Sequence, residues 1–301
     1  MESVTRRAAL SYGPAMLIPC AVCGGKPDPY RHDWLFRCPD CGVLSSDLPV
    51  AIPDLPSDGP LDEGARAAGL DALRRRNNAL ILQSLADPAA KKGLRLLDVG
   101  CGPGFLLDQA ADFGFAAEGI EPDANVLATG QQRGLAIRGG LFPDALSPEE
   151  HFDAIVFNDV LEHIPDVEAA LVAAFRHLQP GGVLCLNCPD KRGLFFRVAA
   201  ALDRIGVSGP YDRLWQKGLP SPHVWYFTPA LLRRAAERAG FEASGDLRLA
   251  TVDLKGLWPR IRMVRETSLP MAAAAWIFTW ITWPLARLLP SDATACFFRK
   301  P

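Results

Sequence analysis

The chain has no surplus of positive charge. Its 32 Lys and Arg stand against 34 Asp and Glu, a formal net charge of -2, so nothing draws it generally to polyanions and a nucleic-acid substrate is disfavoured. No long apolar run follows Arg6 and Arg7, which argues against a secretory leader and for a cytoplasmic, reducing setting. Paired cysteines there signify metal or redox chemistry before disulfides. A phosphate loop closed by Gly-Lys-Ser/Thr is missing, as are internal repeats and low-complexity tracts. What remains is a 301-residue chain, 49 % apolar and 22 % charged, with room for one α/β domain and something small.

Composition divides the chain into a cysteine-bearing segment at 14–47, a proline-punctuated linker at 48–63 and an α/β domain at 64–301. In the last, short apolar runs alternate with helical patterns, the sign of βαβ units and a mostly parallel sheet. Strands are expected at Leu94–Val99, Ala116–Ile120, Ala136–Arg138, Ala154–Asn158 and Val183–Asn187, with two more near Glu242–Ala250 and Ala293–Arg299. Helices are expected at 64–86, 104–112, 124–132, 167–178 and 229–239, with Asp166 capping the fourth and Gly240 stopping the last.

The most informative stretch is Asp98-Val-Gly100-Cys-Gly102-Pro-Gly104, between an apolar strand and a helix. Glycines belong where a backbone turns sharply against a ligand. The spacing is Gly-x-Gly-x-Gly, not the dinucleotide Gly-x-Gly-x-x-Gly, which suits a nucleoside ligand without phosphate. The second strand ends in Glu121, placed to accept hydrogen bonds from ribose hydroxyls; capping the next helix is its plainer reading.

Cys20-x-x-Cys23-Gly and Cys38-x-x-Cys41-Gly form two knuckles. Four thiolates match a tetrahedral structural zinc site with no position open for catalysis. So short a segment needs the metal for its folding energy. Cys185 and Cys188 repeat the spacing inside an apolar strand, where they read as small buried hydrophobes.

The glycine loop, Glu121, the segment Phe152–Asp166 (with Asn158 and Glu162-His163) and Leu178-Gln-Pro-Gly-Gly occur in order. Together they resemble the successive motifs of class I S-adenosylmethionine-dependent methyltransferases, in the small-molecule branch with the ubiquinone-biosynthesis O-methyltransferases. The resemblance spans roughly residues 70–250. It implies a Rossmann-like, seven-stranded mostly parallel α/β sheet with an antiparallel last strand and helices on both faces. It implies that Asp98, Gly100, Gly102 and Gly104 line the cofactor, that Glu121 binds its ribose, and that Asn158 lies beside its sulfonium. An arginine ahead of the first strand also belongs to the pattern; Arg74, Arg75 and Arg76 all qualify.

Two histidines are candidate catalytic residues. His163 follows the fourth strand, at the topological switch point, with an imidazole suited to taking a proton from a hydroxyl acceptor; a loop-shaping role is the alternative. His223 stands in a His-x-x-x-Phe-Thr segment that in related enzymes borders the acceptor pocket, along with Trp225; packing is the alternative there.

Before the last strand, 268–290 forms an apolar helical insert, with Trp276, Trp280 and Trp283 in 271–289 and Arg260, Arg262 and Arg265 ahead of it. The sheet closes around this helix, so it cannot span a bilayer. It is read as lying on the membrane surface, peripheral to the inner face, with packing on a second subunit as the rival. The whole is expected to methylate a small or lipid-linked acceptor, O-methylation of a polyprenyl-linked sugar or quinone-like ring being favoured. An RNA base methyltransferase using the ribbon is a second reading and requires a positive face joining ribbon and pocket. A non-catalytic cofactor-binding module is a third, opposed by the intact loop and Glu121.

Overall fold

The structure, a computed structural model, describes residues 19–51, 63–86, 93–262, 268–286 and 288–301. Residues 14–18, most of the expected linker, Arg265 and Arg287 lie outside them. Three short strands come first: β1 (Asp28–Tyr30), β2 (His32–Arg37) and β3 (Leu44–Ser46). Helix α1 (Glu63–Leu85) leads to β4 (Leu94–Val99), α2 (Leu107–Ala110), β5 (Phe115–Glu121), α3 (Ala124–Gln132), β6 (Ile137–Gly139), β7 (Phe152–Asn158), α4 (Val167–His177) and β8 (Leu178–Pro189). Then follow α5 (Leu194–Arg204), α6 (Gly209–Leu214), β9 (Trp225–Tyr226), α7 (Pro229–Arg238), β10 (Glu242–Leu249), α8 (Leu257–Arg262), α9 (Leu269–Ala286) and β11 (Ala293–Arg299).

Seven strands make one sheet in the order β10-β11-β8-β7-β4-β5-β6. β4 pairs in parallel with both β5 and β7, and β7 with β8, while β11 runs antiparallel between β8 and β10. The chain builds outward from β4 first one way and then the other. That reversal leaves a crevice at the carboxyl ends of β4 and β7, where open α/β sheets bind ligands. This is the expected Rossmann-like arrangement.

Alternate strand residues face opposite layers. Leu97, Ile155, Phe157 and Leu186 pack against Leu171 and Ala174 of α4 and Leu232 and Ala236 of α7. Leu96, Val156 and Cys185 face Ile81 and Leu82 of α1 and Ala110 of α2. Each such aliphatic side chain contributes roughly 1.5–3 kcal/mol of burial. Cys185 and Cys188 fall into these two different layers and remain free, buried thiols. Helix ends follow their capping chemistry. Asp166 accepts from the Ala169 N–H at 2.9 Å, Thr228 caps α7, and Gly240 stops that helix at φ +98°. The second helix is shorter than 104–112 because Gly104 sits at φ +88°, outside helical space.

The cysteine segment is built into the enzyme body. β3 pairs antiparallel with β9, Leu44 opposite Tyr226 and Ser45 opposite Trp225, giving a second sheet in the order β1-β2-β3-β9. The Ser46 hydroxyl donates to the His223 carbonyl at 2.8 Å. Trp34, Leu35 and Leu44 bury themselves with Phe196 of α5, Tyr211 of α6, Trp215 and Tyr226. The N-terminal strands and the α5–α6 insertion therefore form one cap, with Cys20, Val22, Cys38 and Val43 joined to the core layer beneath.

Candidate active site

The loop after β4 turns through three left-handed glycines, Gly100 (φ +65°), Gly102 (φ +58°) and Gly104 (φ +88°). Their surroundings differ. A Cβ on Gly100 would meet Val160 at 2.7 Å, and one on Gly104 would meet Leu135 at 2.3 Å, whereas one on Gly102 would meet nothing within 4 Å. The open cradle lies over Gly102. Glu121, buried at the end of β5, accepts from the Gly102 N–H and the Asp123 N–H, each at 2.9 Å. Asp98 is buried with no partner for Oδ1, and burial together with Glu121 pushes its carboxyl up to about 8. A buried, unpartnered carboxylate beside an open backbone cradle fits a ligand carrying cationic and hydroxyl groups, which is what S-adenosylmethionine presents.

At the end of β7, Asn158 is clamped in place. Its amide donates to Asn78 of α1 at 3.2 Å, and its oxygen accepts from Asn187 of β8 at 2.8 Å. Asp159 follows at φ +58°, and burial raises it to about 6 against the opposing pull of Arg74 and Arg260. Of the three candidate arginines, Arg74 turns toward the loop, its guanidinium 4.8 Å from the Phe105 ring centroid. Arg75 pairs with Asp71 on the exposed helix face, and Arg76 is exposed.

The chain brings His163 and His223 together, ring centroids 4.8 Å apart. Nδ1–H of His163 donates to the Pro222 carbonyl at 2.9 Å, and its Nε2 lies 4.0 Å from Glu162 Oε1. His223 is buried, and burial and the neighbouring His163 keep it neutral, well below the usual imidazole range. Burial and Asp159 push the Glu162 carboxyl well above its ordinary value. Trp225 is buried and donates through Nε1 to the Ile164 and Pro165 carbonyls at 3.1 and 3.2 Å. It thus fixes the loop that carries His163. Sequence reasoning missed Glu162 as a member of this group, although its place beside His163 and three residues after Asp159 was visible.

The four N-terminal cysteines converge. Sγ of Cys20 lies 3.5 Å from that of Cys41, Sγ of Cys23 lies 3.4 Å from that of Cys38, and all four fall within 4.8 Å of one another. Four sulfurs at about 2.3 Å around one tetrahedral zinc would stand roughly 3.8 Å apart. Gly24 and Gly42 adopt φ +75° and +73°, and their N–H groups close the knuckles on the carbonyls of Cys20 and Cys38. Burial raises the Cys20 thiol to about 11 and the Cys41 thiol further. Against its own burial, hydrogen bonds from the Cys41 backbone and the Cys23 side chain hold the Cys38 thiol below its ordinary value, and a cation among the four sulfurs would draw Cys20 and Cys41 down as well.

Helix α9 is apolar on every face, and its exposed side is not the one its tryptophans alone suggest. Met271, Ala274, Phe278 and Ile281 form an exposed stripe joined by Ile277 and Trp280, whereas Ala272 is buried and Trp276 and Trp283 are only partly exposed. Trp280 is thus the one tryptophan of the three on the outward face. The chain after α9 meets the start of α5, where the Leu194 N–H donates to the Pro290 carbonyl. Phe195 and Val198 of α5 are also exposed. Arg260, one of the three arginines ahead of the helix, turns inward onto the Thr251 carbonyl, lies near Asp159 and so is not placed to meet anionic lipid. No helix among the described residues is long and apolar enough to cross a membrane.

A family model described as a methyltransferase domain matches residues 70–244. The ubiquinone biosynthesis O-methyltransferase of Dinoroseobacter shibae is 32 % identical over 199 residues, covering 62 % of this chain and 73 % of that protein. The enzyme of the same name from Paramagnetospirillum magneticum is 42 % identical over 97 residues, 31 % of this chain and 39 % of its own length. Among solved structures, an S-adenosylmethionine-dependent methyltransferase of Thermotoga maritima superposes with a TM-score of 0.52 at 16 % identity, covering 79 % of this chain and 95 % of that one. The cyclopropane synthase MmaA2 of Mycobacterium tuberculosis gives 0.52 at 19 % identity, covering 75 % and 83 %. At such identities the structures speak for the fold alone. With the family model over more than half of the chain and the open loop at the switch point, the chain belongs to the methyltransferase-domain family and is an S-adenosylmethionine-dependent methyltransferase.

Proposed function

We propose that this enzyme O-methylates a small or lipid-linked hydroxyl acceptor, of the polyprenyl-linked sugar or quinone-like class, at the inner face of a membrane. The observation that carries the reading is the Glu162, His163 and His223 cluster, which continues directly from the Asn158 end of β7. When bound, S-adenosylmethionine supplies a methyl group already activated by its sulfonium. The protein's part is to align the acceptor, exclude water and remove one proton. In this reading Asp98, Glu121 and the loop at Gly100, Gly102 and Gly104 hold the cofactor, and Asn158 stands beside its sulfonium. Nε2 of His163 takes the hydroxyl proton, and His223 supports that ring from the cap. Cys20, Cys23, Cys38 and Cys41 hold a structural zinc that keeps the cap closed over the site.

The names of the relatives support a hydroxyl acceptor, and the exposed apolar side chains of α9 support delivery from lipid. The RNA reading is weakened in the cap itself, since Arg31 and His32 both bond Asp203 of α5 and are not displayed outward as a pair. The test is methyl transfer from labelled cofactor to fractionated lipid extract, followed by His163→Ala on the fraction that gains label. Turnover should fall by about 10²–10⁴ with cofactor affinity nearly unchanged. Equal turnover in the two proteins would reduce His163 to a loop-shaping residue.

A further inference from the structure

Three guanidinium groups from separate parts of the chain gather near the end of β7. Arg74 of α1 lies over Phe105, one helical turn before the Asn78 that bonds Asn158. Arg260 of α8 donates to the Thr251 carbonyl, and α8 is pressed so closely on α1 that a Cβ on Gly69 would stand 2.7 Å from the Arg260 nitrogen. Arg213 belongs to α6 of the cap, just before the Trp215 carbonyl and Gln216 side chain that bond His223. Both Arg213 and Arg74 stand close enough to Arg260 to lower its basicity.

Guanidinium groups stay charged at every ordinary pH, and little acid is set against these. Asp159 faces Arg74 and Arg260. Arg213 has no ion pair or hydrogen bond to its side chain among the described residues, since its neighbour Asp212 pairs with Lys217. Arg213 touches solvent, yet the protein around it desolvates the group and lowers its basicity. A side chain both wetted and crowded lines a recess, and positive charge gathered in a recess focuses its field on an anion. Arg74 lies against the cofactor loop, so Arg213 and Arg260 are the pair left to a second ligand. Helix α8 also packs on α9, whose exposed Met271, Phe278 and Ile281 offer an apolar surface next to the charge. An anionic head on an apolar chain suits that order. Two guanidinium forks carry more donors than a carboxylate can take up and match the oxygens of a phosphate.

We propose that Arg213 and Arg260 hold a phosphate group of the methyl acceptor. This rests on the O-methylation reading and narrows its acceptor to one class, a sugar joined to its prenyl chain through phosphate, and not a neutral quinone-like ring. The phosphate anchors the molecule between cap and α8, the prenyl chain runs along α9, and the sugar hydroxyl is left to reach His163.

Farnesyl diphosphate probes head and chain together, and farnesol the chain alone. Calorimetry on the full-length protein with S-adenosylhomocysteine bound should show the diphosphate binding at least about 10-fold tighter than the alcohol. Arg213→Gln and Arg260→Gln should each weaken the diphosphate by about 10–100-fold and erase that preference. Arg197→Gln, on the exposed face of α5, should change neither affinity. Arg213→Gln should keep the melting temperature and the S-adenosylhomocysteine affinity of the wild type, because its side chain has no partner to lose. Equal diphosphate affinity in wild type and Arg213→Gln, or no preference over farnesol, overturns the proposal. Transfer of labelled methyl separates it from the reading beneath it. Label that enters a neutral lipid fraction, at a rate Arg213→Gln does not change, removes the phosphate and keeps O-methylation. A diphosphate that binds through Arg213 while no hydroxyl lipid gains label keeps the anion site and removes O-methylation.

Discussion

Replacing Asp98 with Asn exposes the cost of the cofactor site. Asp98 is buried at the end of β4 beside Glu121, and its carboxyl stands at about 8 instead of 3.8. Between those values the unliganded fold holds a proton that the unfolded chain has released. The stability contributed by this group therefore falls as pH rises from about 4 to about 8, and is level above that. At 1.36 kcal/mol for each tenfold change in acidity, the displacement sets a ceiling of about 6 kcal/mol; relaxation around the charge leaves roughly 2–3. Each kcal/mol moves the melting temperature of a domain of this size by about 2–4 °C. Unliganded Asp98→Asn should thus melt about 5–10 °C above wild type at pH 9, the gap shrinking to a few degrees near pH 5. Adding S-adenosylhomocysteine should reverse the order, because the ionised carboxylate gains a cationic partner that the amide cannot hold. Melting curves of both proteins at several pH values, with and without ligand, give the answer. A gap that does not change with pH, or an equal ligand-induced shift in both proteins, would refute this account of Asp98.

Further outcomes follow from the cap and from α9. Elemental analysis should find zinc bound by the four cysteines, and Cys38→Ser should lose it. Since β3 pairs with β9, that variant should also open the 190–227 insertion to protease; a metal-free wild type with a resistant cap would sink the assignment. Vesicle flotation should carry the wild type with anionic liposomes, whereas serine at Ile277, Phe278, Trp280 and Ile281 should abolish flotation without lowering the melting temperature. Serine at Trp276 and Trp283 should instead cost stability. A wild type that stays down while the exposed-face variant passes from dimer to monomer would identify α9 as a subunit contact.

The methyltransferase domain was legible because its signals are local. Asp98, the three glycines and Glu121 lie within 24 residues, and the turn they encode needs no knowledge of distant chain. The knuckles at Cys20–Cys23 and Cys38–Cys41 were legible for the same reason. Ambiguity arose wherever direction mattered. Arg74, Arg75 and Arg76 are equivalent as letters, and only the rotation of α1 on the sheet sends Arg74 to Phe105. In α9 the tryptophans drew the eye, yet helix rotation turns Ile277, Phe278 and Ile281 outward and leaves Trp276 and Trp283 partly covered.

By itself the sequence determined the fold class, the glycine loop after β4 and the four-cysteine cluster, since periodicity, glycine spacing and cysteine spacing act over a few residues at a time. Only the tertiary structure joined the ribbon to the enzyme. The pairing of Leu44 with Tyr226 bridges 182 residues, and nothing in two short strands records which distant edge will complete their hydrogen bonds. The same closure brings His223 against His163 and seals Glu162 from water. Proximity, burial and the resulting acidity are properties of the assembled layers, fixed when the cap settles on the carboxyl end of β7.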